Sequence, residues 1–261
     1  MLRPPRASKR ATEPATQRPN RRFLPERDGL VHEAVLFDAL GTLLELEPPW
    51  PFLREQLRSH HGIEVPEEDA KRAMLAEMSY YKAHHHEGAD SGSLAELRRR
   101  CAAVLREHLP QVADLAEDDL VEALMASLRF TPYPDAAPAL GRLRQLGVRT
   151  AVVSNWDVSL RSILAEVGLG GLIDEIVVSA EVGARKPDPA IVEAALRRLR
   201  CPARKALMVG DSPETDVAAA EAAGVRPVLV DRLGTAPEVS GIERLSTLEG
   251  LDELLPAPSS S

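Results

Sequence analysis

Cysteine, lysine and long apolar segments are all scarce in this chain of 261 residues. Its two cysteines, Cys101 and Cys201, are too few for a disulfide framework or a cysteine-rich zinc module, and they favour a reducing compartment. No apolar run approaches the roughly 18 residues that a membrane-spanning helix needs, and residues 1–22 lack the apolar segment of a secretory signal. We therefore expect a cytoplasmic protein that does not enter a membrane.

Charge is distributed unevenly along the chain. The net charge is −8, but residues 1–28 carry eight basic and three acidic side chains, which leaves a strongly acidic remainder. An acidic body argues against a nucleic-acid partner, because such partners require a broad basic face. We expect residues 1–30 to form a disordered basic tail, with contact to nucleic acid or a membrane, or a transit-peptide role, as the alternatives.

Short apolar runs alternate with segments of helical periodicity. Runs that are apolar on successive residues are typical of strands buried on both faces of a parallel sheet. The predicted strands are Ala34–Phe37, Thr150–Val153, Glu175–Val178, Ala206–Val209 and Pro227–Val230. The leucine stripes between them stop at glycines, among them Gly147 and Gly168, as helices commonly do. This alternation predicts an α/β fold with a doubly wound parallel sheet.

The first two predicted strands are separated by 112 residues, far more than one crossover helix uses. The intervening sequence has four segments of helical character, and prolines at 48, 49, 51, 132 and 134 bracket it as two stiff hinges. We therefore predict an α-helical cap domain over residues 48–131, inserted into an α/β core over residues 31–47 and 132–250. Residues 251–261 are expected to form a C-terminal tail.

Polar motifs follow the predicted strands, where ligands bind in parallel α/β sheets. The motifs are Asp38–Thr42, Ser154–Asn155, Lys186–Pro189 and Gly210–Asp216. Carboxylates beside a lysine suit a hard divalent cation and an anionic substrate, and an aspartate can act as a covalent nucleophile. Lysine occurs only five times in the chain, which favours a functional over a surface role for Lys186.

These four motifs, in this order, resemble those of the haloacid dehalogenase-like hydrolase superfamily, in the subfamily (IA) with a helical cap inserted after the first motif. The resemblance covers about residues 33–235. It implies a Rossmann-like core, Mg²⁺ as cofactor, and Asp38 as a nucleophile that becomes an aspartyl phosphate. Ser154 and Lys186 would hold the transferring phosphoryl oxygens. Thr42 and Asn155 would contribute to substrate binding, because they orient the loops around the site.

The resemblance also implies a set of magnesium ligands. They would be Asp38, the backbone carbonyl of Leu40, Asp211 and Asp216, the last directly or through water. A helix-capping role is the alternative for Asp216.

Leu40 departs from the phosphatase pattern of this superfamily. Phosphatases usually carry there a second aspartate, which protonates the leaving group and then activates water. We predict a Mg²⁺-dependent hydrolase of a small phosphorylated metabolite, acting as a monomer or homodimer. A haloacid dehalogenase, which needs no such acid, and a binding module with weak catalysis are the alternatives.

Consecutive histidines at 84–86 and at 60–61 suggest metal sites at first sight. Neighbouring residues on a helix point about 100° apart, so they cannot chelate one ion together. We expect both groups at helix C-termini, and Tyr80 and Tyr81 in packing roles.

Overall fold

A computed structural model describes residues 32–255, so the predicted basic tail and residues 256–261 lie outside the described residues. Its centre is a six-stranded parallel sheet that consists of β1 (Ala34–Phe37), β4 (Arg149–Ser154), β5 (Glu175–Val178), β6 (Ala206–Gly210), β7 (Arg226–Val230) and β8 (Glu243–Leu245). The order of these strands across the sheet is β5-β4-β1-β6-β7-β8. The five predicted strands are therefore confirmed, and the doubly wound sheet with them.

The central strand β1 shows why the sheet is buried on both sides. Val35 and Phe37 pack into the apolar cluster on one face, whereas Ala34 and Leu36 pack into the cluster on the other. Because strand side chains alternate between faces, an unbroken apolar run satisfies both clusters at once. The covering helices are α5 (Ala136–Gln145), α6 (Leu160–Glu166), α7 (Ser179–Val182), α8 (Pro189–Leu199) and α9 (Ala218–Ala222).

The inserted segment contains the four expected helices, whose ends differ by a few residues from the predicted ones. They are α1 (Pro49–His61), α2 (Glu67–His84), α3 (Ser91–His108) and α4 (Glu117–Ser127). These helices pack around a third apolar cluster that includes Leu57, Met74 and Leu105. The cap therefore has its own core, separate from the two that flank the sheet.

The connections between core and cap are more regular than the sequence predicts. Strands β2 (Leu44–Leu46) and β3 (Phe130–Pro132) pair as an antiparallel ribbon. Pro49 and Pro51 lie in the first turn of α1, where the missing proline N–H leaves no hydrogen bond unmade. The ribbon, rather than two independent proline hinges, joins the cap to the core.

The C-terminal boundary needs a correction. Leu251–Leu254 form a 3₁₀ helix, and Leu251 and Leu255 are buried in the cluster beneath the sheet. The ordered core therefore extends to residue 255 rather than ending at 250. Sequence patterns also missed β8, because this edge strand is short and mostly exposed. No helix among the described residues is long and apolar enough to cross a membrane.

Candidate active site

Three neighbouring strands deliver the first polar groups to one edge of the sheet. Asp38 follows β1, Ser154 ends β4, and Gly210 ends β6. The backbone N–H of Asp38 donates to the carbonyl of Val209 at 2.9 Å, which fixes the start of its loop against β6. Because β1 pairs with both β4 and β6, residues distant in sequence meet here.

Asp38 is buried and receives two hydrogen bonds on the same carboxylate oxygen. Lys186 Nζ donates to Asp38 Oδ1 at 2.5 Å, and Ser154 Oγ donates to the same atom at 3.1 Å. Among the described residues, no side chain donates to Oδ2. The arrangement orients the carboxylate and leaves one oxygen available for attack or for a cation.

Lys186 is 3% exposed and bridges two carboxylates. It donates to Asp216 Oδ1 at 2.6 Å as well as to Asp38. Burial alone would lower the lysine pKa, but Asp216 and Asp38 together raise the pKa of Lys186 to about 12. The ammonium therefore stays charged near neutral pH, as an anion-binding group requires.

Asn155 acts on the backbone of that lysine. Its Oδ1 accepts from the N–H of Lys186 at 2.8 Å, and its Nδ2 donates to the carbonyl of Lys186 at 3.0 Å. This two-point contact fixes the loop that carries the lysine, which agrees with the expected loop-orienting role.

A cluster of three carboxylates forms the acidic part of the site. One oxygen each from Asp38, Asp211 and Asp216 lie within 4.8 Å of one another. Glycines make room for them: a Cβ at Gly41 would lie 2.3 Å from Asp211 Oδ2, and a Cβ at Gly210 would lie 2.3 Å from Asp216 Cγ. Gly41 also has φ of +83°, which favours glycine.

The two carboxylates that follow β6 differ in how fully they are paired. Asp216 is 2% exposed, and besides Lys186 it accepts from the backbone N–H of Ser212 at 3.0 Å. Asp211 is exposed as a whole residue, but desolvation at the site, followed by repulsion from Asp38 and Asp216, raises the pKa of Asp211 to about 7. Asp211 therefore has the greater freedom to bind a cation, whereas Asp216 mainly anchors Lys186.

The cluster fits a hard divalent cation. Oxygen donors of like charge converge here. Burial raises the pKa values of Asp38 and Asp211, and repulsion from the neighbouring carboxylates adds to the shift. Together with the carbonyl of Leu40, these carboxylates would hold Mg²⁺. When bound, the ion would neutralise this charge and polarise a phosphoryl group.

Thr42 lies beneath the site rather than in it. It is fully buried, and its hydroxyl has no hydrogen-bond partner within residues 32–255. This corrects the expectation that Thr42 binds substrate: no part of it reaches the cavity. Leu40, by contrast, is 38% exposed and lines the cavity beside Asp38.

Arg232 supports the loop that follows Asp38 and was missed by sequence reasoning. It donates to the carbonyl of Thr42 at 2.6 Å, forms a bidentate pair with Asp135 at 2.9 and 3.0 Å, and lies 3.7 Å from the ring centroid of Tyr133. It stands two residues beyond the end of β7, so its place after a predicted strand was a signal that could have found it.

A cavity of about 1640 Å³ lies between the sheet edge and the cap. The core contributes Asp38, Ser154 and Lys186, and the cap contributes side chains from α2, α3 and α4, many of them apolar. A substrate whose charged end binds at Asp38 would therefore extend its other end against the cap.

The end of α2 fastens the cap to the core. Tyr81 Oη donates to Asp157 Oδ2 at 2.7 Å, and His85 Nδ1 lies 3.1 Å from Ser179 Oγ. Burial, and to a smaller extent the neighbouring His86 and Arg185, lowers the pKa of His85 to about 4, so its ring is neutral. The expected helix C-terminus at His84 is confirmed, whereas Tyr81 contributes a specific hydrogen bond in addition to packing.

Comparison with known proteins identifies the family. The model of the haloacid dehalogenase-like hydrolases matches residues 32–224. The chain belongs to this hydrolase family.

Relatives within the family include enzymes named for two reactions. The chain is 31% identical to a glyceraldehyde 3-phosphate phosphatase from Methanopyrus kandleri, over 77% of this chain and 84% of the relative. It is 33% identical to a phosphoglycolate phosphatase from Rhodospirillum rubrum, over 79% and 82%. A 2-haloacid dehalogenase structure from Pseudomonas syringae is similar at 25% identity with a TM-score of 0.62, covering 86% of this chain and 98% of that one.

Proposed function

We propose that this protein hydrolyses phosphate monoesters of small metabolites with Mg²⁺ as cofactor. The observation that carries the proposal is the constellation around Asp38: a buried lysine and a serine on one carboxylate oxygen, with two further carboxylates adjacent. Sequence similarity to metabolite phosphatases supports the same reaction. The three-carbon and two-carbon substrates in those names indicate a small ester rather than a macromolecule.

In the proposed first step, Asp38 Oδ2 attacks phosphorus, and the bond from phosphorus to the ester oxygen breaks. Lys186 and Ser154 hold phosphoryl oxygens as charge shifts toward the leaving group. The leaving group departs into the cavity beneath the cap as an alkoxide or aryloxide anion, which then takes its proton from solvent water. In the second step water attacks the aspartyl phosphate, which releases inorganic phosphate and restores the carboxylate.

Leu40 determines which leaving groups depart easily. A side chain without a proton cannot protonate the departing oxygen, and general acid catalysis contributes roughly 10²–10⁴-fold. Esters whose leaving groups are stable as anions, such as aryl and acyl phosphates, are therefore the better substrates of this chain. Glu47 also lines the cavity and is the first alternative proton donor.

Halide release from a 2-haloacid is the second candidate. Leu40 favours it, since halide leaves without a proton, and the similarity to a dehalogenase structure agrees with it. The cluster of Asp38, Asp211 and Asp216 argues for the phosphatase, because the dehalogenases that work without metal replace the region that carries the last two. A binding module that hydrolyses poorly is the remaining alternative.

One experiment separates these reactions. The purified chain is incubated with aryl, acyl and alkyl phosphates and with 2-chloropropionate, each with Mg²⁺ and with EDTA, and released phosphate and chloride are measured. Phosphate release that requires Mg²⁺ supports the proposal. Chloride release that persists in EDTA would replace it with the dehalogenase, and ligand-induced thermal stabilisation without either product would indicate a binding module.

The compartment and the assembly are part of the same proposal. Cys101 and Cys201 are both free and buried, which agrees with a reducing cytoplasm. We propose a monomer or homodimer, to be distinguished by sedimentation of the purified protein.

A further inference from the structure

The cap contains a buried carboxyl group that the proposed reaction does not use. Glu77 lies on α2, is 4% exposed, and shares its buried face with Ala73 and Met74. Within the part of the chain that the structure describes, no lysine, arginine or histidine pairs with it, and the thiol of Cys101 on α3 is the polar group that acts on it.

Such a group has no value for packing. A buried carboxylate without a cationic partner costs free energy, and an apolar side chain of similar size would suit this helix interface better. Burial raises the pKa of Glu77, and hydrogen bonding from Cys101 opposes this only in part. A buried polar group without its usual partner calls for an explanation, such as a role in binding or catalysis.

The position of Glu77 indicates which part of a substrate it would contact. It lines the same cavity as Asp38, on a cap wall that is apolar at Leu94 and Leu97 and basic at Arg98. Binding pockets of this kind fix ligand orientation through a few polar groups. Since the phosphoryl end is held at Asp38, the group facing Glu77 belongs to the leaving group.

We propose that Glu77 binds a hydrogen-bond donor on the leaving group, an ammonium or a hydroxyl, and so favours, among alkyl phosphates, those that carry an amino or hydroxyl substituent. The inference rests on the proposed phosphatase function for the identity of the leaving group. An ammonium would pair the carboxylate charge, whereas a hydroxyl would supply a hydrogen bond alone.

The test measures binding in an Asp38→Asn background, so that turnover does not interfere. Calorimetry with Mg²⁺ compares phosphoethanolamine, glycerol 3-phosphate and ethyl phosphate, which carry an ammonium, hydroxyls and neither donor. The affinity for each phosphate is measured for Asp38→Asn alone and for Asp38→Asn combined with Glu77→Gln, Glu77→Met or Glu68→Gln. Glu68 is an exposed control on the same helix. The Met side chain suits a buried position, so this variant should fold.

We expect a donor-bearing phosphate to bind roughly 10- to 100-fold more tightly than ethyl phosphate, and Glu77→Met to abolish that preference. Loss of phosphoethanolamine binding already in Glu77→Gln identifies the ammonium, because the amide retains an acceptor but no charge. Loss of glycerol 3-phosphate binding only in Glu77→Met identifies the hydroxyl. Glu68→Gln should leave every affinity unchanged.

Three results would overturn the inference: equal affinities of the background for the three phosphates, an equal loss for all three phosphates in the Glu77 variants, or no binding of the donor-bearing pair. Failure of the phosphatase proposal has a different signature. The parent protein would then release no phosphate from p-nitrophenyl phosphate, even if the Glu77-dependent preference in binding were present.

Discussion

The sheet edge and the cap differ in whether their buried ionisable groups have partners of opposite charge. At the sheet edge, Lys186 lies between two carboxylates at 2.5 and 2.6 Å, and each charge has its partner within the protein. In the cap, Glu77 is equally buried but has no cationic partner among the described residues. Under the proposed function, the first arrangement is preorganised for the phosphoryl group, whereas the second leaves a partner to be supplied by the substrate.

Replacing Asp38, the proposed nucleophile, is the strongest test of the catalytic role proposed for the sheet edge. Asp38→Asn should lower turnover of p-nitrophenyl phosphate by roughly 10⁴-fold or more, because no covalent intermediate can form. Circular dichroism and thermal unfolding should show an intact fold, since the amide has nearly the same shape. A variant that kept more than a few per cent of the activity would exclude the covalent mechanism.

The next largest effect is expected at Leu40. Leu40→Asp should raise kcat/KM for alkyl phosphates by up to roughly 10²–10⁴-fold and change that for aryl phosphates little, because only poor leaving groups need a proton. The measurement is kcat/KM across phosphates of graded leaving-group pKa.

Leu40→Asn is the matched control, of similar size and polarity but without a proton to donate. The new carboxylate lies beside Asp38, so Leu40→Asp should lose stability in EDTA and regain it with Mg²⁺. No dependence on leaving group in the parent, together with no gain in the variant, would show that another acid already serves, with Glu47 the first to examine.

Replacing Lys186, which pairs with two buried carboxylates, tests the contrast between sheet edge and cap through the free energy of unfolding. Lys186→Met leaves Asp38 and Asp216 buried without their cation, which should lower the free energy of unfolding by about 3–5 kcal/mol. Urea unfolding in EDTA measures this. Lys82→Met, at an exposed cap lysine, should change stability by less than about 0.5 kcal/mol. Equal stability of the two variants would mean that the lysine bridge does not hold the site together.

The same contrast explains what sequence alone can predict. Asp38, Ser154, Lys186 and Asp211 were predicted because parallel strands end at one edge, so position along the chain implies position in space. Glu77 offers no such signal, because its face of α2 is buried by packing against other helices of the cap. Strand β8 was missed because it is short and has no periodic apolar pattern. Arg232 was overlooked although it stands two residues beyond β7, at a strand end.

Some sequence interpretations failed for local physical reasons. Thr42 follows the nucleophile closely in sequence, but the turn at Gly41 directs it into the protein rather than toward the cavity. The C-terminal boundary failed because Leu251 and Leu255 are only two apolar residues in a polar, proline-containing segment, and tertiary packing buries them. Proximity in sequence is thus weaker evidence for a role in the site than position at a strand end.

The smallest predicted effect concerns Glu77 in the cap and the pH dependence of stability. Burial raises the pKa of Glu77 in the folded state, so that state retains a proton which the unfolded chain releases as pH rises past about 4.3. The group's contribution to stability is thus complete below that value and is lost as pH rises toward the folded pKa. Glu77→Gln, which resembles the protonated acid, should match the parent in stability near pH 4 and exceed it at neutral pH.

Urea unfolding of both proteins at several pH values between about 4 and 8 measures this difference, with Glu68→Gln as the exposed control. The gap between Glu77→Gln and the parent should widen with pH, whereas the curve of Glu68→Gln should run parallel to that of the parent. Parallel curves for Glu77→Gln would mean that the carboxylate is already compensated within the cap. The cap would then resemble the sheet edge, with every buried charge paired before a substrate arrives.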